Sequence, residues 1–217
     1  SGHRFPVSSL YIPCRLACEA IQRALPGRMA LPKILKGTAA LLGLVAVVLL
    51  ATGLGLDSWR TFSTEIASVK STYDIGLLYT KWTVEAGGVT REERNEINCD
   101  NLVGDTEERC NRTKTGGLSM IIIGGFAALL LVIGVGLAVF GIASQSSFDL
   151  AGVGVMILGA ILCVVGLGVW GGLTHENYIS STIEYELGTA AALAITACVL
   201  SFLAAVAYAI AYAKRDG

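Results

Sequence analysis

Six cysteines, two histidines and one Asn-X-Thr sequon are the residues of this 217-residue chain whose types could carry chemistry. Cys99 and Cys110 bracket ten residues inside the one long polar stretch. In an oxidising compartment they pair as a disulfide, which would stabilise that stretch by about 2–4 kcal/mol. Asn111-Arg112-Thr113 beside them is an acceptor pattern for N-glycosylation. Cys14 and Cys18 sit in a basic N-terminal segment. They are either sites of S-acylation or plain interfacial thiols. Cys163 and Cys198 fall in apolar runs and read as small core residues. A thiol oxidoreductase would want a Cys-X-X-Cys pair with a depressed thiol pKa, and the chain has none. His3 and His175 are placed on opposite sides of the topology argued below and cannot share a metal. No Ser/His/Asp set and no phosphate-cradling loop is legible. The expectation is a protein that is not an enzyme and takes no cofactor, metal or small-molecule substrate.

The elements that position these residues are set by where charge is missing. The chain is 53% hydrophobic and 15% charged, against roughly 25% charged in soluble domains. No Asp, Glu, Lys, Arg or His occurs in 37–56, 118–148, 150–174 or 187–213. A helix needs about 20 apolar residues to cross a hydrocarbon core. Four spans follow, at about 37–56, 118–143, 150–173 and 188–213, with loops at 57–117 and 174–187. Gly and Ala within the spans allow close helix packing in lipid. The first apolar run starts only at Gly37 and is too long for a signal-peptide core. A net charge of −1 gives no reason to expect nucleic acid.

Lys33 and Lys36 directly precede the first span, and Lys214 and Arg215 directly follow the last. The positive-inside rule then makes both termini cytoplasmic and puts 57–117 outside, on the side of the sequon. Residues 1–36 form a separate cytoplasmic segment. Leu10, Cys14, Ala17, Cys18, Ile21 and Leu25 recur there at helical spacing, which predicts an amphipathic helix ending at Pro26-Gly27. Domain 37–217 is the four-span unit. Its long loop carries eight Lys/Arg and eleven Asp/Glu. The β-rich compositions of 58–67 and 73–85 predict two paired strands. Residues 90–98 favour a short helix or solvated turn. The expected fold is an all-α four-helix transmembrane bundle with a small extracellular antiparallel β-sheet.

This layout resembles the claudin superfamily, which includes the claudins, the peripheral myelin proteins and the gamma-type subunits of calcium channels and glutamate receptors. Trp59-Arg60 resembles the start of the family's first loop. Gly76-Leu77-Leu78 resembles its Gly-Leu-Trp, with Leu78 in place of Trp. Glu186-Leu187-Gly188 resembles the entry to its last helix, and the Gly/Leu-rich third span ending near Trp170 is similar. The likeness covers about 37–213. The first signature cysteine would fall near Lys81 and is absent. The sequon and the candidate disulfide fit the plasma membrane, with an internal membrane as the alternative, and the expected partners are lipid and other membrane proteins or copies of itself. One expectation is an accessory subunit that packs laterally and contacts partners through Trp59, Tyr73, Leu77, Leu78, Tyr79 and Trp82. A second is a cell-junction or barrier protein with Glu65, Lys70, Asp74 and Glu85 setting selectivity. A remote third is a membrane thiol oxidoreductase.

Overall fold

The computed structural model describes residues 27–100, 102–144, 148–180 and 183–214. The expected amphipathic helix before Pro26, with Cys14 and Cys18, lies outside the described residues. Four long helices dominate: α1 (Gly27–Gly55), α2 (Asp105–Ser144), α3 (Asp149–Tyr178) and α4 (Thr189–Ala213). Each is long and apolar enough to cross a membrane. Their outward surfaces carry exposed Leu44, Phe126, Ile161 and Phe202, while Ala46, Ala127, Ala160 and Ala194 are buried. Large apolar residues outside and small ones inside are compatible with a four-helix membrane bundle, where lipid covers the first set and close packing uses the second. The helices alternate in direction, so one end of the bundle collects the C-termini of α1 and α3 and the N-termini of α2 and α4.

That end carries the sheet. Strands β1 (Arg60–Ile66), β2 (Val69–Ile75), β3 (Tyr79–Ala86) and β4 (Val89–Glu96) form an antiparallel meander. A short pair, β5 (Ile179–Ser180) and β6 (Ile183–Glu184), precedes β7 (Glu186–Leu187), which joins the free side of β1. The five-stranded order is β4-β3-β2-β1-β7. Two corrections follow for the polar stretch. The expected strand over 73–85 is two strands, broken at Gly76-Leu77-Leu78, and the partner of β1 is β2. The expected helix or turn over 90–98 is strand β4. Its Glu and Arg residues prefer helix, but Gly87 and Gly88, at φ +57 and +81, close a tight turn that returns the chain along β3. Lys81 then pairs with Glu92 at 2.9 Å, and Arg94 with Asp57 at 2.8 Å. Ladder pairing thus overrides local preference.

Helix α2 begins earlier than the apolar run alone predicts. Asp105, Glu107 and Glu108 occupy its first turn, where acids oppose the positive end of the helix dipole. Glu108 also pairs with Arg112 one turn on, at 2.6 Å. At 1.5 Å per residue the helix is about 60 Å long, so its first turns stand clear of a hydrocarbon layer about 30 Å thick.

Candidate interaction site

The site is built from the sheet's root upward. Trp59 is fully buried. Its Nε1–H donates to the Gly53 carbonyl at 2.9 Å, satisfying a group that the end of α1 leaves without a helical partner. Its ring meets Trp170 of α3 edge-on, with centroids 4.8 Å apart. The Arg60 guanidinium lies 5.3 Å from the centroid of that same Trp170 ring. Leu77 is buried in the same cluster, with Leu50 and Met120. Two backbone approaches complete the root. A Cβ on Gly117 would overlap the Leu77 carbonyl, and one on Gly188 would overlap that of Ser58. With Gly188 in place, its N–H donates to the Trp59 carbonyl at 3.0 Å and Ala190 N–H donates to Ser58 at 3.0 Å. The sheet is therefore fastened to all of α1, α2, α3 and α4 by main chain and by two indoles.

Beyond the root, the pleat sorts side chains onto two faces. One face is read in rows across the registered strands: Ile66, Val69, Ala86, Val89 at the tip, then Thr64, Ser71, Val84, Arg91, then Phe62, Tyr73, Trp82, Glu93. The other face carries Glu65, Lys70, Glu85 and Thr90 in one row and Thr61, Asp74, Lys81 and Arg94 in another. Trp82 is 49% exposed, and its Nε1–H donates to Ser71 Oγ at 2.8 Å. Phe62 packs against Tyr185, just before β7, with ring centroids 5.7 Å apart and planes tilted by 52°. Burial, and secondarily the nearby Tyr73, pushes the Tyr185 hydroxyl pKa up from its ordinary value.

The residues expected to meet partners thus divide. Trp59 and Leu77 are enclosed in this chain's own core and hold the sheet. Tyr73 and Leu78 are half-buried. Tyr79 is exposed but has Arg94 stacked 4.2 Å from its ring centroid. Trp82 alone of the six is both exposed and on the aromatic face. The charges Glu65, Lys70, Asp74 and Glu85, scattered in sequence, all come to the opposite face. The Cys99–Cys110 disulfide is formed, with Cα atoms 5.8 Å apart, and ties the end of the β4 segment to the second turn of α2. Asn111 is exposed on that helix. Among the described residues no group of three or more His, Cys, Asp or Glu is placed to hold a metal ion.

A second polar cluster, unread in the sequence, lies at the opposite end of the bundle. Lys36 Nζ donates to Asp149 Oδ2 at 2.7 Å and to the Gly141 carbonyl at 3.2 Å. Tyr208 donates to Asp149 Oδ1 at 3.2 Å. All three side chains are buried. Lys36, a flanking charge in the sequence, is here the partner of the single acid between the second and third apolar runs. That isolated acid is the signal by which the pair could be found. Cys163 and Cys198 are buried in one apolar cluster of α3 and α4, so the reading of both as core residues fits their place.

No protein-family model matches the chain, and no curated protein matches it.

Proposed function

We propose that this is a non-catalytic integral membrane protein of claudin-like layout, an accessory subunit that packs beside other membrane proteins and meets their exposed parts through the sheet. One observation carries the reading. The sheet is fixed rigidly at its root, yet its tip row of Ile66, Val69, Ala86 and Val89 is left exposed, with Ile66 and Val89 each 71% accessible. An apolar row on a rigid support, uncovered by its own chain, suits contact with another protein. Supporting it, Gly125 and Gly136 of α2 and Gly154 and Gly168 of α3 have no neighbouring atom within 4 Å of where a Cβ would stand. Those helix backbones are open to close approach by a neighbour. In this reading the sheet end faces outside, both termini are cytoplasmic, the membrane is the plasma membrane and Asn111 is glycosylated.

The test is purification of the tagged full chain from its own source in mild detergent, with native sizing and mass spectrometry. A stoichiometric larger membrane protein supports the accessory role. Self-oligomers without a foreign partner would sink it. A second reading, contact between cells or a paracellular barrier, is favoured by one finding: Glu65, Lys70, Asp74 and Glu85 share a single face. Concentration of tagged protein at contacts between cells that lack junctions of their own would support it.

A further inference from the structure

The row two below the tip has a composition of its own. Phe62, Tyr73 and Trp82 stand side by side on β1, β2 and β3, and Glu93 of β4 ends the row. Tyr185 closes the opposite end against Phe62. With strands about 4.8 Å apart, the three strand-borne rings span about 10 Å. No Lys or Arg belongs to this row. Two arginines stand one row away on the same face: Arg91, on the strand of Glu93, and Arg60, on the strand of Phe62, whose guanidinium is turned to the Trp170 ring at 5.3 Å.

Aromatic faces carry negative charge and attract cations, most strongly a weakly hydrated quaternary ammonium held by several rings. A flat sugar-stacking platform would want rings in one plane, whereas the Phe62 and Tyr185 planes are tilted by 52°. A carboxylate at the end of the row adds charge complementarity for a cation and none for a sugar. Arg91, beyond Glu93, supplies the opposite sign at the spacing of alternate residues on a strand, about 7 Å, while Arg60 is engaged with Trp170. This sequence of aromatic, negative and positive matches a zwitterion. We propose that the Phe62–Tyr73–Trp82–Tyr185 row receives the trimethylammonium group of a phosphocholine lipid headgroup, with Glu93 as its counter-charge and Arg91 facing the phosphate. The source is a bilayer lipid, which rests on the reading that the four helices cross a membrane; recognition of the headgroup itself does not.

The experiment uses the full chain in nanodiscs of phosphatidylglycerol, which contain no choline. Tryptophan fluorescence is followed on titration with glycerophosphocholine, glycerophosphoethanolamine or maltose. Trp59 and Trp170 are buried, and a Trp82→Phe variant identifies the Trp82 signal. The expected result is a saturable Trp82 response to glycerophosphocholine, about tenfold weaker for the ethanolamine compound. Glu93→Gln should weaken it severalfold with an unchanged melting temperature, and Tyr185→Ala should weaken it severalfold while also lowering the melting temperature, because the Phe62 contact is lost. Nanodiscs of phosphatidylcholine should show the shifted signal already and no further response. Equal affinity for the two headgroups, no saturable response, or a response to maltose instead would overturn the proposal. An unshifted signal in phosphatidylcholine nanodiscs would overturn the lipid source. None of these outcomes bears on whether a protein partner co-purifies.

Discussion

A buried ion pair is a local balance between desolvation and attraction, and Lys36–Asp149 shows what it depends on. Both charges are taken from water, but each keeps a second partner in Gly141 and Tyr208. Removing one member leaves the other charge buried and unpaired. Lys36→Met should therefore destabilise by about 3–5 kcal/mol, read as a lower unfolding temperature in detergent. Lys36→Met with Asp149→Asn should recover most of that loss, because no lone carboxylate remains. If the double variant is as weak as the single one, the charge is not what matters. Tyr185 gives a pH-dependent counterpart. Its hydroxyl pKa is raised in the fold, first by burial and then by Tyr73. The folded state then holds its proton after the unfolded state has released it, so stability falls as pH rises above the ordinary value of about 10. Tyr185→Phe should flatten that alkaline decline in a melting series, and an unchanged slope would refute the assignment.

At the scale of elements, the disulfide is the clearest meeting of sequence and structure. Cys99 and Cys110 are the two cysteines of the polar stretch, and they pair. Replacing both by Ser should cost about 2–4 kcal/mol, seen as a lower unfolding temperature with the sheet's circular dichroism kept below it. The four apolar helices are legible because uninterrupted apolar length is a one-dimensional property. The strands are legible only in part. Val69–Ile75 interleaves the strand formers Val69, Thr72, Tyr73 and Ile75 with Lys70, Ser71 and Asp74, and its role as a central strand comes from register with β1 and β3 on both sides. Val89–Glu96 reads as helix or turn until the Gly87-Gly88 reversal is known. The two faces are hidden for the same reason, since alternation cannot be followed across an unplaced turn. Trp59 and Leu77 stand out as apolar residues in a polar loop. The Trp59 indole N–H finds Gly53 close by, but its ring contact and its main-chain partner come more than a hundred residues later, at Trp170 and Gly188.

For the molecule as a whole, the proposed orientation is directly testable. Ser63 is exposed on the sheet. A Ser63→Cys variant should react with a membrane-impermeant maleimide on intact cells, while a Lys214→Cys variant should react only after permeabilisation. The opposite pattern would invert the topology. The chain order adds a consequence of its own. Strand β1 is bordered by β2 on one side and by β7 on the other, and β7 is made only after three of the four helices. On the ribosome, the first hairpins can form and the Cys99–Cys110 pair can oxidise while the edge of β1 still waits for Glu186 and Leu187. The nascent chain therefore passes through a stage with an open strand edge, which is hazardous in any crowded compartment. On the proposed orientation, a ribosome-stalled chain ending before β7 should be caught there by lumenal chaperones, and extending it past Ala213 should release it.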